Sequence, residues 1–198
     1  MIPGRLVVAT ANPGKLRELR ALIGEWGPVT VEGLDAFPGI VLPAERGASY
    51  AENAVAKATA VARTTGVPAL GDDSGLEVEA LGGLPGLHSA RYAGTEAARI
   101  AKLLEALRDV PAPRRGARFI CVVAAVFPDG YVARAEGLCR GRVTTVPAGR
   151  AGFGYDPIFV PEGFERTFAE VGDDVKQRLS HRARAVRALG ERLRRGPR

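Results

Sequence analysis

The chain has 198 residues, of which 46% are hydrophobic and 25% are charged. This length and balance are typical of one soluble globular protein with a substantial core, and they exclude a disordered chain. No apolar run approaches the roughly 18 residues of a membrane span, and the first residues lack a signal-peptide pattern, so we expect a cytoplasmic protein with no membrane partner.

The net charge of +6 favours an anionic partner, and the kind of cation is informative. Of the 28 basic residues only Lys15, Lys57, Lys102 and Lys176 are lysine. Arginine presents a wide planar fork, whereas lysine is a compact point charge that suits a single phosphate oxygen. Aromatic residues make up 6% of the chain and do not alternate with basic ones. The composition therefore favours a small polyanion, and no stable nucleic-acid partner is expected.

The ligand types limit the metals that the chain can hold. Its two cysteines, Cys121 and Cys139, lack metal-ligand spacing, and His88 and His181 are the only histidines. A metal site would therefore be built from carboxylates, which select Mg²⁺, with Mn²⁺ as the alternative.

A short apolar strand at residues 6–9 leads into a loop and then into leucines at helical spacing. Asn12 suits the N-cap of that helix and Pro13 its first position. The loop is not a Walker A motif, because Ala9 and Leu16 stand where glycine and serine or threonine are needed. A helix N-terminus with nearby hydroxyl, amide and ammonium groups suits a phosphate chain. The same residues are also compatible with an ordinary capped turn that binds nothing. The candidate phosphate-binding residues are Thr10, Ala11, Asn12, Pro13, Gly14 and Lys15.

A second helix is predicted to begin after Ser49, which forms a capping box with Glu52, and to run through Lys57 to a glycine stop. Residues 71–75 then set Asp72 and Asp73 side by side at a predicted strand end, with Ser74 beside them. Adjacent carboxylates repel each other, and a cation relieves the repulsion. This segment therefore predicts a site that binds a metal ion and supplies a general base. A plain turn fits the same residues.

The later elements follow from periodicity and turn residues. They are a strand at 76–81, a helix at 95–107, a hairpin of 119–127 and 131–138 around a Pro-Asp-Gly turn, a strand at 142–146, and a helix starting near 180.

Two segments late in the chain offer groups for a base. Phe153, Gly154, Tyr155 and Asp156 place a flat aromatic ring beside flexible backbone and a carboxylate, the ingredients for stacking a base and bonding its edge. Near the last helix, Lys176, His181 and Arg182 add a cation, a titratable ring and a guanidinium. An ordinary surface would also accommodate His181 and Arg182.

Taken together, these segments resemble the inosine triphosphate pyrophosphatase family. The resemblance covers nearly the whole chain and rests on six motifs in order. They are residues 10–15, 52–54 with Lys57, 72–76, 84–86 with 89–92, 153–157, and Lys176 with 180–182. It implies an α/β fold in which a long mixed β-sheet and flanking helices form two lobes around a central cleft, as one catalytic domain over residues 1–198, and a homodimer.

The resemblance also implies roles for particular residues. It makes Asp73 the catalytic and metal-binding aspartate, places Ser74 beside it in the substrate site, and puts Lys57 and Lys176 on the triphosphate side. It places residues 153–156, His181 and Arg182 around the base. The family often has two acidic residues before a glycine at the metal site. Here Ala44 fills the first place, which leaves Glu45 as the predicted second metal ligand.

The expected activity is Mg²⁺-dependent hydrolysis of non-canonical purine nucleoside triphosphates, such as dITP, ITP, XTP and dXTP, to the monophosphate and pyrophosphate. Two alternatives stay open. One is a nucleotide or nucleic-acid binding module without turnover, and the other is a related pyrophosphatase for modified or pyrimidine nucleotides. The sequence does not give the preferred purine or sugar, the metal count or the dimer interface.

Overall fold

The structure, a computed structural model, describes residues 1–196, which form a mixed α/β fold around one six-stranded sheet. The strands are β1 (Arg5–Ala9), β2 (Thr30–Glu32), β3 (Ala69–Val78), β4 (Gly116–Val126), β5 (Val132–Val143) and β6 (Phe159–Pro161). The helices are α1 (Pro13–Gly24), α2 (Tyr50–Thr65), α3 (Glu96–Ala106), α4 (Phe168–Val171), α5 (Asp173–Leu179) and α6 (His181–Arg195).

The sheet order is β2-β1-β3-β4-β5-β6. β1 runs parallel to both β2 and β3, whereas β5 and β6 are antiparallel. The predicted mixed sheet with flanking helices is therefore confirmed. None of the helices within residues 1–196 is long and apolar enough to cross a bilayer.

The chain divides into two compact units. Unit 1 contains Met1–Asp73, Cys121–Gly137 and the chain from Arg182 onward, and unit 2 contains Ser74–Ile120 and Leu138–His181. Since β3, β4 and β5 each contribute residues to both units, the units are not consecutive segments of chain. The predicted single catalytic domain with two lobes stays a prediction.

Unit 1 has two apolar clusters, and β1 contributes to both. Leu6 and Val8 pack in one cluster with apolar residues of α1 and α6, while Val7 and Ala9 pack in the other with residues of α2. Successive side chains of a strand point to opposite faces, so an uninterrupted apolar run is what a strand covered on both faces requires. This double burial fixes β1, and with it the loop that follows it.

Unit 2 has its own core, in which aromatic rings are prominent. Phe119 of β4 packs edge-on against Phe159 of β6, with ring centroids 4.6 Å apart, and Phe159 stacks on Phe168 at 5.5 Å. Leu76, Val78 and Leu103 belong to the same cluster. The unit therefore does not depend on the unit 1 clusters for a buried apolar interior.

Three predicted boundaries are wrong. The strand predicted at 76–81 ends at Val78, and Glu79–Leu81 form a short 3-10 helix. β3 runs without interruption from Ala69 to Val78, so Asp72 and Asp73 lie inside a strand and not at a strand end. The carboxylates are tolerated there because cations pair with them: Asp72 with Lys15 and Arg182, and Asp73 with Lys57. The predicted strand at 142–146 is also wrong, since β5 continues to Val143 and the later residues are irregular.

Candidate active site

The loop after β1 has the predicted cap. The Asn12 side chain accepts a hydrogen bond from the Lys15 N–H at 3.0 Å, and the Asn12 N–H donates to the Thr10 hydroxyl at 3.2 Å. Pro13 opens α1, and Ala11, Asn12 and Pro13 are exposed. Gly14 is buried, so this end of the loop packs against the rest of unit 1. The turn leaves the start of a 12-residue helix accessible, as phosphate binding requires.

Asp72 is fully enclosed and paired with cations. Its carboxylate forms an ion pair with the Lys15 ammonium and accepts a hydrogen bond from Arg182 Nε at 3.0 Å. The Cys121 thiol lies 3.1 Å from the same oxygen that Arg182 contacts. Burial by itself would raise the pKa of Asp72, but the charges of Arg182, Lys15 and Lys57 outweigh burial and lower it well below its usual range. Asp72 is thus a permanently ionised counter-ion.

Arg182 lies in unit 1, and the groups that it contacts are acidic. Besides Asp72, it forms an ion pair with Glu18 of α1. Only 2% of Arg182 is exposed, so its guanidinium is buried beside these two carboxylates. Its predicted place beside the base is not tested, whereas its contacts in unit 1 connect the start of α6 to β3 and α1.

Asp73 lies in a second group, with Lys57, Glu45 and Asn53. The Lys57 ammonium is 2.7 Å from the Glu45 carboxylate and 3.8 Å from that of Asp73, and Asn53 donates to Asp73 at 2.8 Å. Burial raises the pKa of Asp73 above its ordinary value, while the charge of Lys57 and the hydrogen bond from Asn53 act in the opposite direction. Of the two neighbouring aspartates, Asp73 is therefore the one whose pKa is raised.

Asn53 was not among the predicted site residues. Its amide nitrogen contacts Asp73, and its amide oxygen accepts from the Gly47 N–H at 2.8 Å, so it links the segment that carries Glu45 to β3. A signal was available in the sequence, because Asn53 lies within the motif at 52–54 and four residues before Lys57, on the same buried face of α2.

The residues present fit a hard divalent cation. Asp73 and Glu45 supply carboxylate oxygens, and both contact the same ammonium, so they converge on one place. Within residues 1–196 no group of three or more His, Cys, Asp or Glu side chains has the arrangement of a metal cage. Mg²⁺ needs no such cage, because it binds through one or two carboxylates together with water and substrate phosphates.

In unit 2, a second cluster forms around Asp156. Its carboxylate accepts from the Phe153 N–H at 2.8 Å and from the Lys176 ammonium at 2.5 Å. The same ammonium lies 4.4 Å from the centroid of the Phe153 ring. Lys176 is therefore grouped with the residues predicted around the base, and its predicted contact with the triphosphate stays a prediction.

Tyr155, His181 and Ser74 complete the predicted set in unit 2. The Tyr155 hydroxyl donates to the Ser89 carbonyl at 3.0 Å, and burial raises the pKa of Tyr155 to about 12. The His181 ring is buried and stacks on Phe119 with centroids 4.6 Å apart. Ser74 is half-buried in β3. Tyr155 and His181 are held by neighbours that fix their orientation.

The predicted residues thus fall into two groups. Unit 1 holds the loop of residues 10–15, Glu45, Lys57, Asp73 and Arg182, and unit 2 holds Ser74, residues 153–156, Lys176 and His181. The first group is built from cations and carboxylates, and the second from aromatic rings and one buried ion pair. The first suits phosphates and a metal, and the second suits a base.

Comparison with known proteins gives one family. A model of the Ham1 family matches residues 6–192. A dITP/XTP pyrophosphatase of Thermus thermophilus is 48% identical over 98% of this chain and 93% of its own length. One of Pseudomonas syringae is 50% identical over 96% of each chain. The solved structure of a HAM1 protein from Coxiella burnetii, 37% identical, superposes with a TM-score of 0.85 over 97% of this chain and 99% of its own. The chain belongs to the Ham1 family.

Proposed function

We propose that this chain hydrolyses non-canonical purine nucleoside triphosphates, with dITP and XTP as the leading substrates and ITP and dXTP beside them. The products would be the nucleoside monophosphate and pyrophosphate. The observation that carries the proposal is that relatives about half identical over nearly the full length are dITP/XTP pyrophosphatases, and that the cation and carboxylate group around Asp73 is suited to that reaction.

The phosphates are assigned to the start of α1 with Lys15 and Lys57. Their ammonium groups would neutralise charge that develops on the phosphate oxygens, which is the largest electrostatic demand of phosphoryl chemistry. Both are already held close to carboxylates, so their positions are fixed before substrate arrives. Such preorganisation avoids the cost of ordering long side chains during the reaction.

Asp73 is assigned as the group that orients or deprotonates the attacking water at the α-phosphorus. The environment supports this assignment, because burial raises the pKa of Asp73 toward the range in which a general base works, while Asn53 holds the carboxylate in place. Asp73 and Glu45 would hold Mg²⁺, or Mn²⁺ in its place, and the metal would supply charge neutralisation on the phosphates.

The base is assigned to the Asp156 cluster. Phe153 offers a face for stacking, and Asp156 and Lys176 offer polar groups beside that ring. His181, which stacks on Phe119, is assigned as a further donor to the base. A 6-oxo purine presents an acceptor where adenine presents an amino donor. Donors fixed in the site would therefore favour the former, and a buried donor left without its acceptor would reject the latter. A homodimer and a cytoplasmic location belong to the same proposal.

The test is a panel of nucleoside triphosphates with Mg²⁺, assayed separately for pyrophosphate and orthophosphate, with chelator as the control. We expect dITP and XTP to release pyrophosphate well above dATP, dCTP and dTTP. Orthophosphate and a diphosphate as the main products would contradict the assignment of the α-phosphorus. Binding without turnover would support the binding-module alternative, and a preference for a pyrimidine would support the other pyrophosphatase.

A further inference from the structure

The loop that carries Phe153 is held from outside by a side chain that none of the six motifs includes. The Glu96 carboxylate accepts a hydrogen bond from the Gly154 N–H at 2.6 Å. Glu96 is the first residue of α3, 58 positions earlier in the chain, and half of its side chain is exposed. A contact between residues so far apart does not arise from local turn geometry.

The two backbone N–H groups at Phe153 and Gly154 have similar acceptors. Asp156 accepts from Phe153 at 2.8 Å, within the turn itself, and Glu96 accepts from Gly154, from a separate helix. The ring between them is half-buried and has the Lys176 ammonium over one face. The backbone on both sides of the ring is therefore restrained by carboxylates.

Without such restraint this loop has wide conformational freedom. Gly152 and Gly154 flank Phe153, and both adopt positive φ, 77° and 67°, in the region that glycine enters at little cost. Gly152 is also restricted by space, since a Cβ there would lie 2.1 Å from the Asp156 carboxylate. Gly154 has open space around it, so its conformation depends on hydrogen bonding more than on packing.

We infer that Glu96 is a positioning residue for base binding, which fixes the Gly154 backbone and thereby the plane of the Phe153 ring on which a purine stacks. This inference rests on the proposed function, because it assigns Glu96 to the recognition of the base. Glu96 acts through the loop and does not touch the reacting atoms. Its contribution therefore belongs to substrate binding, and the chemical step is left unchanged.

Two substitutions separate the hydrogen bond from the charge. Glu96→Ala removes the acceptor, whereas Glu96→Gln keeps an acceptor oxygen of similar reach and removes the charge. The matched control is Glu105→Ala, which removes an exposed glutamate of the same helix that pairs with Arg108, three residues later. A melting curve for each variant checks that the fold is retained.

The first measurement is the rate of amide hydrogen exchange at Gly154, monitored by NMR in the absence of nucleotide. We expect exchange about three- to tenfold faster in Glu96→Ala, the factor for one net hydrogen bond, and no change in Glu96→Gln or Glu105→Ala. Unchanged exchange in Glu96→Ala would overturn the inference. This result does not depend on the activity, so it stands even if the wild-type chain fails to hydrolyse dITP.

The second measurement is steady-state kinetics with dITP. We expect KM to rise about three- to tenfold in Glu96→Ala with kcat within about twofold of wild type, and Glu96→Gln to restore KM. A loss of kcat at unchanged KM would overturn the inference, as would a Glu96→Gln variant as impaired as Glu96→Ala. No turnover by the wild-type chain would instead refute the proposed function.

Discussion

Asp72 and Asp73 are adjacent in β3, yet their surroundings prepare them for different tasks. Asp72 pairs with Lys15 and Arg182 and has a lowered pKa, whereas Asp73 faces Lys57 and Asn53 and has a raised one. Neighbouring residues of a strand point to opposite faces, which is how one dipeptide reaches two environments. This separation supports a structural role for Asp72 and a catalytic one for Asp73.

Asp73→Asn should reduce turnover of dITP at least about 10²-fold, the scale of a lost general base, and leave the free energy of unfolding nearly unchanged. Asp72→Asn should behave differently, because it removes the buried charge that Lys15 and Arg182 share and leaves Arg182 with Glu18 alone. The free energy of unfolding should fall by about 3 kcal/mol or more. Kinetics and urea unfolding of both variants check this. Near-normal turnover in Asp73→Asn would place the base elsewhere.

Lys15 tests the inference drawn from lysine usage. Its ammonium lies beside the buried Asp72 at the start of α1. We expect the wider guanidinium of arginine not to fit the same space. Lys15→Arg should therefore lose almost as much kcat/KM as Lys15→Ala. Lys102→Arg should be silent, since Lys102 contacts only the Tyr92 carbonyl and ring on an exposed surface. Full activity in Lys15→Arg would contradict the argument that a compact ammonium group is required at this position.

Sequence reasoning identified the charged residues of the site more readily than it did their partners. Asn12, Lys15 and Asp73 stand in short motifs whose chemistry is local. The pairing of Arg182 with Asp72 joins residues 110 positions apart, and a pairing at that distance depends on the complete fold. The contact of Glu96 with Gly154 likewise depends on the complete fold. In the sequence, a lone glutamate at a helix start indicates only a favourable charge for the helix dipole.

At the scale of elements, the close packing of β3 on α2 depends on one glycine. A Cβ on Gly71 would lie 2.1 Å from the Ala54 carbonyl oxygen of α2 and 3.0 Å from the Ala58 nitrogen, both of them backbone atoms that cannot rotate away. This close approach brings the strand with Asp73 within reach of Asn53 and Lys57 on α2.

Gly71→Ala should lower the free energy of unfolding by about 1 to 3 kcal/mol, the usual cost of overpacking. It should also reduce activity, because a displaced strand separates Asp73 from Asn53. Gly24→Ala, at the end of α1 with open space around it, is the control and should be neutral or slightly stabilising. Urea unfolding measures both, and equal stability of the two variants would contradict the packing argument.

The elements that sequence reasoning placed well have strong local signals. α1 has its Asn12 cap, and α2 has Ser49 at its start and Gly66 in the left-handed conformation at its end. The predicted capping box differs in detail, since the Glu52 carboxylate accepts from the Ala48 N–H. β3 was misread because glycine and aspartate are poor strand residues, and only the cations around them make a buried strand tolerable.

At the scale of the whole molecule, stability at high pH reports on the buried phenol of Tyr155. Its pKa of about 12 exceeds the ordinary value of 10, so between these values an unfolded chain releases the proton while the folded chain keeps it. This contribution to stability is complete below about pH 10 and is lost as the pH rises toward 12.

Tyr155→Phe should therefore be less stable than wild type at pH 8, by about 1 kcal/mol for the lost hydrogen bond to Ser89. The difference should shrink or reverse between pH 10 and 12, because the variant has no phenol to titrate. Chemical denaturation of both proteins at several pH values gives the difference in the free energy of unfolding at pH 8 and its change between pH 10 and 12. A constant difference across this range would mean that the pKa of Tyr155 is not raised.

The position of the Lys57 ammonium near both Glu45 and Asp73 affects whether the protein needs a divalent ion to fold. Because the Lys57 ammonium offsets part of the charge of these two carboxylates, we expect the chain to fold without a divalent ion, unlike proteins whose metal is part of the fold. With the metal dependence proposed above, changes in free magnesium would alter catalysis and leave the folded population unchanged. Under the proposed function, the metal would arrive with each nucleotide and leave with the pyrophosphate.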